Sequence, residues 1–226
     1  MVTKGEIKRE ITSLLQNSKV KTGLRLNSDT IERAYEAYIL ALCKKAVIEA
    51  DGTAILRGIV SGDNPNPIVF RGAPGDMSSR DQNFCYVYCK LNEKEFEIHL
   101  DVQYQGSSGA SHEIDVSIYS AQSANTVRST RRLPKTNNNL LMTFECKFYT
   151  RSTPSTGLAR GFAGLVKDCS ANRLNAFVSN NASLNLKKYF SNKHNLEPFV
   201  DLDPANKASE DRFVRTIEQA LRKWAI

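Results

Sequence analysis

The feature that most constrains this sequence is the order strand, helix, strand between residues 140 and 179. Residues 140–149 are rich in β-forming side chains, and residues 174–179 are again apolar and β-rich. Between them, Ser155 or Thr156 can cap a helix whose apolar residues recur at helical spacing, namely Leu158, Phe162, Leu165, Val166 and Cys169. Because strands joined through a helix in one sheet run parallel, this segment predicts a parallel pair covered by a helix.

Upstream of this unit, glycine, asparagine and proline separate short β-rich runs. The runs are residues 68–70, 84–91, 96–104 and 114–119. Such punctuation is typical of an antiparallel meander, and a meander followed by a parallel pair makes a mixed sheet. We therefore predict an α/β fold, in the sense of an α+β mixed sheet with helices on its faces.

Three further segments have helical patterns. Residues 5–16 predict a short amphipathic helix. A second helix is predicted from Asp29, with Glu32 as its capping-box partner, to a stop at residues 51–52, and a last helix is predicted over residues 209–224. The polar and basic residues 123–139, which include one proline, predict a mobile loop.

Composition excludes several classes of protein. With 226 residues and 41% hydrophobic content, the chain is long enough for a full core, so we predict a single domain over residues 1–226. The absence of a membrane-length apolar run or a signal-peptide core predicts a soluble, cytoplasmic protein with no membrane partner. The five cysteines include no C-x-x-C pair and the three histidines lack i, i+4 spacing, so any metal is expected to be held mainly by carboxylates.

The positive charge is concentrated in one part of the chain. The net charge is +7, and residues 121–173 contain nine basic and two acidic residues, which is the whole excess. This distribution favours a polyanionic partner, and a solvated basic face that keeps the protein soluble is the alternative.

Two acidic residues lie inside apolar strands. Strand alternation places Glu145 and Lys147 on one face, and it places Glu113, Asp115 and Ser117 together on one face of the preceding strand. Burying such charges is unfavourable unless they are paired or hold a metal. Two carboxylates on neighbouring strands with a lysine beside one of them favour magnesium-dependent chemistry on a phosphodiester.

This pattern resembles the signature of a known superfamily. Asp115, followed thirty residues later by Glu145-Cys146-Lys147, is similar to the D…(D/E)xK motif of the PD-(D/E)XK nucleases, with Ile114 where the motif's name has proline. The resemblance covers residues 29–179. It implies a restriction-endonuclease-like αβββαβ core, to which residues 5–16 and 184–226 add N- and C-terminal helices.

The resemblance also implies roles for these residues. Asp115, Glu145 and the backbone carbonyl of Cys146 would ligate Mg²⁺, for which Mn²⁺ is expected to substitute, and Lys147 would orient or deprotonate the attacking water. Glu36, on the second helix, matches a glutamate that relatives contribute to the metal site. The alternatives are that Lys147 forms a plain salt bridge and that Glu36 pairs with a neighbouring base.

Glu113 and His112, which precede Asp115 in the sequence, are secondary candidates. Glu113 is a second metal ligand, a partner of Lys147 or an exposed residue at the strand start, and these readings stay open. His112 is expected to be a loop residue that contacts phosphate or solvent.

Basic residues around the motif are candidates for binding nucleic acid; they are Arg128, Arg131, Arg132, Arg151, Arg160 and Lys167. The sequence thus predicts a Mg²⁺-dependent endonuclease acting on DNA, of the restriction or phage-defence kind, with defence-system proteins as further partners. The alternatives are a catalytically inactive nucleic-acid-binding or assembly protein on the same fold, or an RNase. A homodimer is compatible with cleavage of two strands, and Leu221 and Trp224 of the last helix would supply its interface or pack on their own domain.

Overall fold

The computed structural model describes residues 2–16, 24–26, 30–191 and 196–226. Two helices precede a run of six strands, β2 to β7, and helices and strands alternate after it. The helices are α1 (Lys4–Gln16), α2 (Ile31–Glu49), α3 (Ala121–Thr130), α4 (Thr156–Asp168), α5 (Leu184–Ser191) and α6 (Lys207–Trp224), with a short 3-10 turn at Asn137–Asn139. The strands are β1 (Leu24–Leu26), β2 (Thr53–Gly58), β3 (Gly62–Asp63), β4 (Ile68–Phe70), β5 (Cys85–Leu91), β6 (Lys94–Gln105), β7 (Ser111–Ser120), β8 (Leu140–Lys147), β9 (Leu174–Ser179) and β10 (Glu197–Phe199).

Eight of these strands form one mixed sheet in the order β10-β9-β8-β7-β6-β5-β2-β3. Strands β8 and β9 pair in parallel and are connected through α4, whereas the strands from β8 back to β3 pair in antiparallel fashion. The predicted mixed α/β sheet and its parallel pair are therefore confirmed. Strand β10 adds a second parallel pairing at the edge, and β1 and β4 form a separate two-stranded sheet.

Helices cover both faces of the sheet. Helices α1, α2 and α6 pack on one face, in a core that we call the α2 core and that includes Tyr35, Val116 and Phe144. On the other face, α3 packs with Tyr104 and Tyr119 in a second core, the α3 core. Helix α4 packs beside α5 on Phe177 and other residues of a third cluster. The central strands are therefore buried on both faces, so a charged residue in them is enclosed by protein whichever face it points to.

The helix predictions are largely confirmed. The structure has α1 and α6 at the predicted places. Ser155, one of the two predicted caps, is the N-cap residue of α4. Helix α2 is capped by Thr30, whose side chain accepts a hydrogen bond from the backbone N–H of Arg33. The predicted cap, Asp29, lies outside the described residues.

The loop predicted over residues 123–139 is wrong in its first half, which is helix α3. Ser120 caps this helix by accepting from the N–H of Ser123. The helix buries Ala121, Ala124 and Val127 against the sheet. Because its apolar side consists of small residues, its helical pattern is weak in the sequence, and packing on β6 and β7 stabilises it.

The C-terminal helix packs on its own domain. Leu221 is fully buried in the α2 core, and the ring of Trp224 lies edge-on to Phe96 at 5.5 Å between centroids. The two side chains proposed for a dimer interface are thus engaged within the chain, and a homodimer stays a prediction. Among the helices of the described ranges, none is long and apolar enough to span a membrane. All five cysteines are buried free thiols.

Candidate metal centre

The site is created by a break in the alternation of two neighbouring strands. Asp101 in β6 has a φ of 48°, in the left-handed region that an L-residue rarely adopts. The register pairs Leu100 with Val116 and Val102 with Ile114, so Asp101 lies opposite Asp115. The first of these pairs packs in the α2 core and the second, two residues further, in the α3 core. In regular strands both pairs would lie on one face of the sheet. The left-handed residue Asp101 interrupts this alternation, so the two pairs point to opposite faces.

This break corrects the predicted face of β7. The hydroxyl of Ser117 lies 2.8 Å from that of Tyr104, on the α3 side of the sheet. Asp115, in contrast, lies beside Glu36 of helix α2. The prediction that Asp115 and Ser117 share a face is therefore wrong, because strand alternation does not continue through a left-handed residue in the partner strand.

Three buried carboxylates meet at this point. Glu36, Asp101 and Asp115 each offer one oxygen, and these oxygens all lie within 4.8 Å of one another. We call these residues the carboxylate trio. Asp101 was not among the residues proposed from the sequence, although it meets the same criterion as Asp115, an acid within an apolar strand. Oxygen ligands of this kind suit hard divalent cations such as Mg²⁺.

Arg33 is a cation that pairs with two members of the trio, Glu36 and Asp101. Its Nη1 donates to both oxygens of Glu36, at 3.1 and 2.9 Å, and to Oδ1 of Asp101 at 2.8 Å. The alternative reading of Glu36, a pair with a neighbouring base, is thus confirmed as a contact, and it coexists with the trio. The remaining oxygen Oδ2 of Asp101 is buried and has no hydrogen-bond partner in the described part of the chain, and the same is true of Oε1 of Glu113.

One arginine does not neutralise these carboxyls. Burial raises the pKa of Glu36 to about 9, and the charges of Asp101 and Asp115 add to this effect while Arg33 opposes it. Burial likewise raises the pKa of Asp101 to about 7. The pKa of Glu113 is also raised, first by burial and then by Asp115. A site that holds protons at neutral pH, with a buried acceptor left over, fits a divalent cation that would replace those protons.

Lys147, the lysine of the motif, also contacts Asp115. Its Nζ is 3.1 Å from Oδ2 of Asp115 and 2.8 Å from Oε1 of Glu145, and the backbone N–H of Cys146 donates to the same Asp115 oxygen at 2.7 Å. Burial lowers the pKa of Lys147, but Asp115 and Glu145 outweigh it and raise the pKa above its ordinary range. Asp115 therefore connects the carboxylate trio to the lysine.

Glu145 is next to the trio but not part of it. Its carboxylate pairs with Lys147, and burial followed by the charge of Asp115 raises its pKa while Lys147 opposes the rise. Phe144 and Cys146, on either side of it, point into the α2 core, as the alternation of this strand predicts. The proposed roles of Glu145 and of the Cys146 carbonyl as metal ligands stay predictions.

A cavity of about 390 Å³ opens beside these residues. Its lining includes Arg33 and Glu36 from α2, Lys147 at the end of β8, and Arg151 in the segment that follows. Solvent and a substrate can therefore approach Lys147 and Glu36 from the same side. Of the basic residues proposed to bind nucleic acid, Arg151 is the one that lines this cavity.

The other proposed nucleic-acid contacts fall into two groups. Arg131, Arg132, Arg160 and Lys167 are exposed. Arg128 is instead held by Glu97, to whose two oxygens it donates at 2.8 and 2.6 Å. Glu97 is buried at 1% exposure and needs this partner, so Arg128 has a structural role that competes with any phosphate contact.

His112 is not a loop residue as predicted. It belongs to β7, and its Nε2 lies 2.6 Å from Oδ2 of Asp168 at the end of α4. Asp168 also accepts from the hydroxyls of Ser107 and Ser108, and these bonds lower its pKa. The strand begins earlier than the apolar run indicates because pairing with β6 continues to Ser111. His112 therefore fastens the turn before β7 to helix α4.

Comparisons with known protein families, with curated proteins and with solved structures give no match to this chain. The resemblance to the PD-(D/E)XK nucleases therefore depends on the residues themselves, and so does any function assigned to the site.

Proposed function

We propose that this protein is a Mg²⁺-dependent endonuclease that hydrolyses phosphodiester bonds of DNA. The observation that carries the proposal is the direct connection between the carboxylate trio and Lys147. Asp115 belongs to the trio and also forms a salt bridge with Lys147. We further propose that α2, the meander ending in β7, strand β8, helix α4 and strand β9 correspond to a restriction-endonuclease-like core. Its order and the place of the acidic residues support this assignment.

The residues that would hold the metal are Glu36, Asp101 and Asp115. When bound, Mg²⁺ polarises a phosphate and lowers the pKa of a bound water, and Mn²⁺ offers the same chemistry. The raised pKa of Lys147 keeps its amine protonated at neutral pH. Lys147 therefore acts as a fixed positive charge that stabilises the anionic phosphorus centre, rather than as the base. Glu145, paired with this ammonium, positions it.

The charge distribution supports a polyanionic substrate. Arg151 shares the cavity with Lys147, so it is placed to contact a phosphate next to the one attacked. Arg131, Arg132, Arg160 and Lys167 are exposed and extend the positive charge over the surface of the same segment of chain. A defence or restriction role and the presence of partner proteins remain predictions from the resemblance.

The test is cleavage of plasmid and linear DNA, with RNA offered in parallel, in Mg²⁺, in Mn²⁺ and in EDTA. We expect nicking of DNA in either metal and none in EDTA. Lys147→Ala should reduce the cleavage rate by a factor on the order of a hundred, because its charge acts mainly in the transition state. Lys223→Ala, which removes an exposed lysine of α6, is the matched control and should cut like the wild type. Cleavage by Lys147→Ala at the wild-type rate would contradict the proposal.

A second function is favoured by one specific observation. The carboxylates and cations of the site are mutually paired, Arg33 with Glu36 and Asp101, and Lys147 with Asp115 and Glu145. An inactive nucleic-acid-binding or assembly protein on this fold would have such internally paired side chains. Retention of DNA in a gel without metal-dependent cleavage would support it, and cleavage of RNA alone would support an RNase.

A further inference from the structure

A second cavity lies on the opposite side of the sheet from the carboxylate trio. It has a volume of about 510 Å³, is open to solvent and lies between helix α3 and the segment of residues 132–139. Tyr119 of β7 lines it, and this ring belongs to the α3 core, whereas the trio lies against α2. Tyr119 and Asp115 are four residues apart on one strand, or roughly 13 Å. The cavity is therefore separate from the proposed catalytic site.

The walls of this cavity are held in place by the fold. One wall is a single face of α3, formed by residues at i, i+3, i+4 and i+7 spacing, which are Ser123, Thr126, Val127 and Thr130. The other wall is fastened to two strands of the sheet by hydrogen bonds. The hydroxyl of Tyr119 donates to the carbonyl of Lys135 at 2.9 Å, and the N–H of Gln105 donates to the carbonyl of Pro134 at 2.8 Å. The cavity is thus formed before any ligand arrives.

The charge of the cavity is positive. Arg132 and Lys135 line it, and its lining contains no carboxylate. Within the described ranges, neither side chain is paired with an acid at salt-bridge distance. Two cations without a local counter-charge, beside a ring of neutral hydroxyl and amide groups, suit an anion such as a phosphate.

The rest of the lining suits a ring system. Tyr119, Val127 and Leu133 make the floor apolar, and the side chains of Gln105 and Asn139 also line the cavity. An apolar floor with a few placed polar groups is the usual composition of a small-molecule site, and the volume falls within the usual range of about 300–1,000 Å³. A ligand that satisfies both halves of this cavity carries a phosphate and a heterocycle.

We propose that this cavity binds a nucleotide, with its phosphate on Arg132 and Lys135 and its base on the floor formed by Tyr119, Val127 and Leu133. The ligand is either a free nucleotide or the 5′-phosphorylated terminal nucleotide of a strand, since both present the same chemistry. The site does not depend on the metal centre, and nucleotide binding there is independent of whether the protein cuts DNA.

The test is calorimetric titration in EDTA, which removes metal binding and cleavage from the signal. The probes are adenosine and cytidine monophosphates, the two nucleosides without phosphate, inorganic phosphate alone, and a short oligonucleotide with and without a 5′-phosphate. We expect the monophosphates to bind at least tenfold more tightly than the nucleosides or inorganic phosphate. If free monophosphates and the phosphorylated oligonucleotide bind equally, the ligand is a free nucleotide, and if the oligonucleotide binds more tightly, it is a strand terminus.

Two variants locate the binding. Arg132→Ala with Lys135→Ala should weaken nucleotide binding at least tenfold, whereas the matched pair Arg215→Ala with Lys223→Ala, exposed cations of α6, should not. Thr126→Trp, which fills the cavity from the exposed side of α3, should also abolish binding while circular dichroism shows the fold intact. Equal binding by the Arg132/Lys135 variant and the wild type, or monophosphates that bind no better than inorganic phosphate, would overturn the proposal.

Discussion

Arg33 occupies the place next to the carboxylate trio that a divalent cation would share, so replacing it should tighten metal binding. The perturbation is Arg33→Met, which retains the apolar stem of the side chain and removes the guanidinium. The change removes the hydrogen bonds of Nη1 with Glu36 and Asp101, at 2.8 to 3.1 Å. The carboxylates remain, and the site becomes more negative by one charge.

The size of the effect can be worked out from those hydrogen bonds. Hydrogen bonds between charged groups contribute about 1.5–3 kcal/mol each when buried, and Arg33 is 24% exposed, so solvent weakens its share. A competing interaction of about 1–2 kcal/mol corresponds to metal affinity that is roughly five- to thirtyfold higher in the variant. The metal-free variant should also lose about 2 kcal/mol of stability, because buried carboxylates lose their partner.

The assay is calorimetric titration of Mn²⁺ into metal-free protein at pH 8, with thermal unfolding measured on the same samples. Arg57→Met is the matched control, since Arg57 has a similar exposure of 30% and pairs with Asp63, and its strand β2 lies two strands away from β6 and contributes no residue to the trio. Its metal affinity should equal that of the wild type. Arg33→Lys, which keeps the charge, should change the affinity by less than about threefold.

Unchanged or weaker Mn²⁺ binding by a folded Arg33→Met variant would refute this reasoning. It would mean that Arg33 holds the carboxylates in the arrangement that binds the metal, instead of competing for them.

Three further predictions concern the same site and its surroundings. Because the folded pKa values of Glu36 and Asp101, about 9 and about 7, lie above those of the unfolded chain, the metal-free protein should lose stability as pH rises from about 5 to 8, by a few kcal/mol at most. Thermal unfolding in EDTA checks this, and a stability that rises over that range would contradict it. Glu36→Gln should reduce the dependence of stability on pH, and Mg²⁺ should restore stability at pH 8. Asp101→Asn should weaken Mn²⁺ binding at least tenfold without lowering the melting temperature of the metal-free protein, which calorimetry and unfolding together would show, and unchanged affinity would remove Asp101 from the site. Neutralising Arg131, Arg132 and Arg151 together should reduce the log-log salt slope of DNA binding by about 0.9 for each phosphate that the variant no longer binds, and an unchanged slope would assign these cations to solubility.

The sequence alone was sufficient for the order of the main elements and for part of the site. Strand β9 begins and ends where its apolar run does, and β8, α4 and α6 lie within a few residues of their predicted bounds. These features are local, because strand and helix periodicity depend on neighbours in the chain. The same holds for Glu145 and Lys147, whose pairing follows from their spacing on one strand.

The tertiary structure alone decided which carboxylates meet. Asp101 and Asp115 lie on different strands, and they point toward Glu36 because the backbone at Asp101 adopts a left-handed φ of 48°. The spacing of hydrophobic residues in the sequence does not predict this backbone conformation. Helix α3 likewise depends on packing against the sheet, and Arg128 depends on a partner, Glu97, that is thirty-one residues away in the chain. Contacts between distant segments are set by strand register and helix packing, which depend on the whole chain, so local patterns in the sequence do not reveal them.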